Sequence, residues 1–166
     1  FDSATSFSMI RIARDRRIPI LVDPKGKDFG RYKGATMLTP NRKEFVDAWG
    51  DWQGEADLKA QAAELIEKLE IGAILLTRSE EGMTLFRKDG SASHQPTQAR
   101  EVFDVSGAGD TVIAATAAAI AAGLTDEMAV ELATAAAGIV VGKLGVATAT
   151  LEEIIDLNKS NSREVV

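Results

Sequence analysis

Short apolar runs ending on a polar residue alternate along this chain with stretches of helical periodicity, and that alternation limits the fold most. Residues 18–23 (IPILVD), 36–39 (TMLT) and 73–77 (AILLT) read as buried strands. A helix over 41–49 has Asn41 as its cap, Glu44 as the acidic half of a capping box, and Gly50 as its stop. A second helix over 55–69 puts Leu58, Ala62, Leu65, Ile66 and Leu69 on one face. Residues 83–86 followed by Lys88-Asp89-Gly90 read as a hairpin arm and its turn. The chain opens on a helical pattern carrying Phe7, Ile10 and Ile12. Towards its end, a strand-like run at 101–103 precedes Ala-rich helices at 111–122 and 127–143, parted by Gly123. A last helix covers 151–157, and the tail after Asn158 is expected to fray. The pattern predicts an α/β fold, a mostly parallel sheet flanked by helices. Ligands in such sheets gather at the carboxyl ends of strands. Asp23, Asn41, Glu44, Thr77, Ser79 and the turn at 104–110 all fall just past strands.

That last turn, DVSGAGD at 104–110, carries the sharpest chemistry. Gly107 and Gly109 flank Ala108 and let the backbone bring its N–H groups against an anion. The helix behind adds roughly half a positive charge at its N-terminus. Asp110 then sets a carboxylate beside that anion, which suits a reaction in which an alcohol must lose a proton as it attacks phosphorus. The bland reading is a glycine turn with an ordinary first-turn acid.

Composition removes several function classes. The net charge of −6 with no basic block argues against nucleic acid. The absence of cysteine excludes disulfides and thiolate metal sites, and a single histidine excludes multi-histidine centres. The Ala-rich run is too broken by Thr and Gly to span a bilayer, so no membrane partner is expected. No signal peptide is visible, which favours the cytoplasm. Phe1 is not an initiator methionine, and a helix is already under way there, so the chain is expected to be part of something longer.

DVSGAGD followed by Thr111 resembles the C-terminal signature of the PfkB (ribokinase-like) sugar kinases. Asn41-Arg42-Lys43-Glu44 resembles the family's N-x-x-E motif, and TRSEEG at 77–82 its T-x-G-x-x-G nucleotide loop, with Ser79 where glycine is usual. LVDPKG, LTPN-x-x-EF, PTQA and GIVVGKLG are similar to the heptose-7-phosphate kinases within that family. The resemblance implies the C-terminal part of a ribokinase-like kinase domain over residues 1–166, without the N-terminal half that bears the lid and most sugar contacts. It further implies transfer of phosphoryl from ATP to O1 of D-glycero-β-D-manno-heptose 7-phosphate, on the route to ADP-heptose and lipopolysaccharide.

The roles that the resemblance implies are specific. Asp110 is the general base, and the N–H groups of Gly107, Ala108 and Gly109 form the anion hole. Glu44 meets Mg²⁺ through water, and Asn41 positions it or a phosphate. Thr77, Arg78, Ser79 and Gly82 line the nucleotide, with Arg78 equally readable as a surface charge. Ala136, Ala137 and Val140 are candidates for the adenine wall, although alanine at that spacing also suits close helix packing. Asp23 and Lys25 face the substrate, and Asp104 with Ser106 match positions that hold a monovalent cation such as K⁺ in some relatives. A homodimer of the full-length protein is left open. The rival readings are another sugar kinase of the family, a nucleotide-binding fragment without turnover, and a dinucleotide-binding domain. The last fails on Val112, which stands where the third fingerprint glycine belongs. GIVVGKL fails as a P-loop because Leu144 replaces the metal-binding hydroxyl.

Overall fold

A computed structural model describes residues 2–99 and 101–163. The chain divides into two compact units, Phe1–Ser79 with Thr84–His94, and Glu80–Met83 with Gln95–Val166.

The sheet takes the order β1 (Leu21–Val22), β2 (Met37–Leu38), β3 (Ala73–Thr77), β4 (Met83–Arg87) and β5 (Ala92–Gln95). β1, β2 and β3 are parallel, with Leu21 opposite Met37 and Met37 opposite Ala73. β4 turns back on β3: the Lys88 N–H beyond its end reaches the Gly72 carbonyl ahead of β3. The Arg87 N–H then bonds the Ser91 carbonyl across the turn into β5. The sheet is therefore mixed, parallel over its first three strands. β3 is buried along Ala73–Leu76, as expected of a strand covered on both faces. β1 and β2 are shorter than the apolar runs that announce them. Pro19 has no N–H to give, and Ile20 is joined to Thr36 through the threonine hydroxyl.

α1 (Ser3–Asp15), α2 (Arg42–Trp49) and α3 (Glu55–Leu69) belong to the first unit. Leu58, Ala62, Leu65, Ile66 and Leu69 of α3 are all buried, as their periodicity predicts. They join Phe45 of α2, whose ring meets Trp52 edge-on at 5.8 Å.

The second unit holds α4 (Ala108–Ala121), α5 (Asp126–Val141) and α6 (Leu151–Arg163). Ala135, Ala136 and Ile154 form a buried cluster there, lined by Ala115, Ile139, Ala149 and Leu157. Three sequence expectations are corrected. Residues 101–103 form no strand: the N–H groups of Phe103 and Asp104 both bond the Val141 carbonyl and so satisfy the open end of α5. α4 begins at Ala108 and not at Thr111, so Gly109 and Asp110 lie inside its first turn. α6 also extends beyond residue 157, through Arg163. Among the described residues, no helix is long and apolar enough to cross a membrane.

Candidate active site

At the carboxyl ends of the parallel strands, the first unit assembles Asp23, Lys25, Asn41, Glu44 and Thr77. Pro40 ends β2, and Asn41 bridges to Thr77 as a single parallel pair. The capping box forms as the sequence predicts. Asn41 Oδ1 accepts the Glu44 N–H at 2.9 Å, and Glu44 Oε2 accepts the Asn41 N–H at 2.9 Å. The other oxygen, Glu44 Oε1, accepts from Lys25 Nζ at 2.7 Å, and the same ammonium lies 2.9 Å from Asp23 Oδ2. The bond to Glu44 raises the Lys25 pKa above its ordinary value, and Asp23 adds to that, while partial burial opposes it.

This arrangement tests whether the residues suit Mg²⁺. Among the described residues, no group of three or more His, Cys, Asp and Glu could hold a metal. Mg²⁺ does not need such a cage, because it is usually held by one or two carboxylates together with substrate phosphates. The Lys25 ammonium shows that Glu44 and Asp23 can both reach one cationic centre. The residues fit the ion.

The loop after β3 departs from the expectation for Arg78. Its side chain is only 8% exposed and is neither a surface charge nor a guanidinium turned to solvent. Nη1 and Nη2 grip the two oxygens of Glu55 at 2.9 and 2.6 Å, and Nη1 also donates to Thr84 Oγ1 at 3.3 Å. The guanidinium fork matches the carboxylate on two sides. It holds the Glu55 carboxyl below its usual range. The side chain of Arg78 fastens this loop to α3. Glu55 was missed by sequence reading: 23 residues separate it from Arg78, and nothing local pairs them.

Two positions of that loop have unusual backbones. Ser79, standing where the family motif has glycine, adopts φ 56°, a left-handed conformation that a side chain disfavours. Gly82 has φ 92°, and a Cβ there would sit 2.2 Å from the Gln95 carbonyl oxygen, so glycine is required on both counts.

In the second unit the turn at 104–110 is built from the backbone. Asp104 Oδ1 accepts the Ser106 N–H at 2.8 Å, and the Ser106 side chain first and that N–H second hold the Asp104 carboxyl below its usual range. Gly107 caps α4 with φ 78°, and no side chain caps that end. The Thr111 N–H makes the first i−4 bond, to the Gly107 carbonyl at 2.9 Å, and the Thr111 hydroxyl joins the same oxygen. The N–H of Ala108 is already given to the Val105 carbonyl at 3.2 Å. Of the turn expected to form the anion hole, Gly109 is followed in the first turn of α4 by Asp110. Both precede the helical ladder, where no i−4 carbonyl is available. Asp110 occupies the third helical position and is exposed.

Ala136, Ala137 and Val140, the candidates for an adenine wall, lie on α5. At 3%, 8% and 0% exposure they pack closely within the second unit. Lys143 of the discarded P-loop reading pairs with Glu153 at 2.7 Å.

With this geometry in place, comparison with known proteins gives a consistent answer. The sequence model described as the pfkB family carbohydrate kinases matches residues 2–154. The chain is 54% identical over 147 residues to the Bifunctional protein HldE of Hahella chejuensis and 55% identical to that of Pseudomonas syringae pv. tomato. Each alignment covers 89% of this chain, which spans 31% of the length of these relatives. Among solved structures, Arabidopsis thaliana ribokinase complexed with ribose and ATP gives a TM-score of 0.86 at 23% identity, covering 95% of this chain and 53% of that one. Phosphofructokinase-2 from Escherichia coli in complex with potassium gives 0.85 at 16% identity, covering 98% and 54%. At those identities the structures establish the ribokinase-like fold.

Proposed function

Because this chain belongs to the pfkB family of carbohydrate kinases, we propose that it serves phosphoryl transfer from ATP to O1 of D-glycero-β-D-manno-heptose 7-phosphate. The identity to the two HldE proteins and the quoted heptose-kinase motifs support that choice of sugar. One observation carries the chemistry: a left-handed Gly107 opens α4, so that first-turn amides and the exposed Asp110 carboxylate share one helix end.

In this reading Asp110 accepts the proton of the sugar hydroxyl as its oxygen attacks the γ-phosphorus and the bond to the β-phosphate oxygen breaks. The N–H groups of Gly109 and Asp110 meet the charge on the transferring group, aided by the helix dipole. Losing one such donor typically costs about 2.7–4 kcal/mol of barrier. Glu44 and Asn41 serve the metal and phosphates, and Thr77, Ser79 and Gly82 the nucleotide. Mg²⁺, when bound, supplies charge neutralisation on the phosphates. Asp104 and Ser106 offer oxygens for a monovalent cation, and no step depends on it. A cytoplasmic location accords with sugar-phosphate chemistry of this kind.

Asp110→Asn is expected to lower kcat about 10²-fold or more while leaving ATP affinity nearly unchanged, measured in the protein that turns over. Turnover at the wild-type rate would remove Asp110 from this role. A second reading is nucleotide binding by residues 1–166 without turnover. Sugar-dependent ADP release by the 166-residue chain would rule it out.

A further inference from the structure

Glu44 has two tasks. Its Oε2 closes the capping box of α2 on the Asn41 N–H, so the carboxylate is fixed in orientation. Its Oε1 is the oxygen left for a cation, and a cation already faces it: Lys25 Nζ at 2.7 Å. The same nitrogen reaches both oxygens of Asp23, at 3.0 and 2.9 Å. The three side chains differ in freedom. The Glu44 side chain is 16% exposed and that of Asp23 29%, whereas Lys25 is 67% exposed on a flexible four-carbon stem. The Glu44 carboxylate is fixed in place by the capping box, Asp23 is held by Lys25 itself, and the ammonium can leave.

Building on the assignment of Glu44 to Mg²⁺, we propose that Lys25 is a resident competitor of the metal. Its ammonium holds the cation position between Asp23 and Glu44 and must swing out before a divalent ion reaches Glu44 Oε1. Two cations cannot share one carboxylate oxygen at contact distance without strong repulsion. The device has two consequences. While the metal is away, Lys25 offsets the mutual repulsion of the two carboxylates and keeps them aimed at a common point. When the metal enters, the released ammonium becomes a point charge at the strand ends, suited to an anionic oxygen of a phosphate-bearing ligand. Metal and anion then favour each other's binding through the same lysine.

The test uses Mn²⁺ as the probe, with the free ion counted by electron paramagnetic resonance in the absence of nucleotide. Lys25→Met removes the charge at similar length on an exposed loop. It is expected to bind Mn²⁺ about three- to tenfold more tightly than the wild type. Lys25→Arg keeps the charge and is expected to show no gain. Glu44→Gln in the Lys25→Met background is expected to abolish the gain. If Glu44→Gln weakens Mn²⁺ binding but Lys25→Met leaves it unchanged or weaker, the competitor role is overturned while Glu44 stays with the metal. If Glu44→Gln has no effect in either background, the assignment of Glu44 itself falls, and the competitor with it.

Discussion

In the first unit Phe45, Leu58, Leu65 and Ile74 are fully buried, whereas in the second α5 buries Ala129, Ala133, Ala135, Ala136 and Ala137 beside Val130 and Val140. The buried hydroxyls of Thr116 and Thr134 add no polar cost there. Each donates to the carbonyl four residues back, Val112 at 2.7 Å and Val130 at 2.8 Å. The candidate functional groups follow the same division. The first unit offers side chains in mutual restraint: Lys25 between Asp23 and Glu44, Glu44 on Asn41, and Arg78 on Glu55. The second offers backbone amides at the head of α4 and one exposed acid. Large side chains fix other side chains by filling space around them. Small ones let helices approach closely, and there the candidate groups are backbone amides.

Substitutions can break or sharpen this contrast. The largest effect is expected from Phe45→Ala, which empties the centre of the first core and should cost about 3–5 kcal/mol in chemical denaturation. Ala135→Gly in the second unit should cost only about 1 kcal/mol, the helix-propensity difference. Equal losses would erase the distinction between the two cores.

The Arg78–Glu55 clamp should show a smaller, pH-dependent effect. Glu55→Gln weakens two charge-assisted bonds to a buried guanidinium, for about 1 kcal/mol, kept low because Glu55 itself is open to solvent. The folded state holds the Glu55 carboxyl below its ordinary pKa, chiefly through the Arg78 bond. Its stabilisation is therefore fully present above about pH 4.3, the unfolded value, and is lost as pH falls through the folded one. Wild type and Glu55→Gln should differ in denaturation free energy at pH 7 and converge in acid. A difference that persists or widens in acid would contradict the clamp.

The smallest effect belongs to Ser79→Gly. It relieves a left-handed serine, and because glycine adds freedom to the unfolded chain, the net stabilisation should be under about 1 kcal/mol, read as a slight rise in Tm. A loss of stability would mean that the Ser79 side chain holds the loop.

Much of this was legible in the sequence where the signal is local. The capping box needs only Asn41 and Glu44 three residues apart, and the buried face of α3 needs only its 3.6-residue period. The strand expected at 101–103 failed because apolar character does not say where an N–H will go. Phe103 and Asp104 spend theirs on the end of α5, 38 residues away for Phe103. Arg78 followed a buried strand, but its partner Glu55 comes from a helix that precedes that strand, and no local period links them. The alanines of α5 were ambiguous for another reason. Small side chains serve helix packing and ligand contact alike, and their spacing does not tell how deeply each is buried.

The central claim is that the head of α4 receives a nucleotide's terminal phosphate. Backbone amide resonances followed during an ATP titration test it most directly. The account predicts large, saturable shifts at Gly109 and Asp110, smaller ones across residues 77–82, and none along the buried face of α3. Saturable ATP binding that leaves Gly109 and Asp110 unmoved would contradict it.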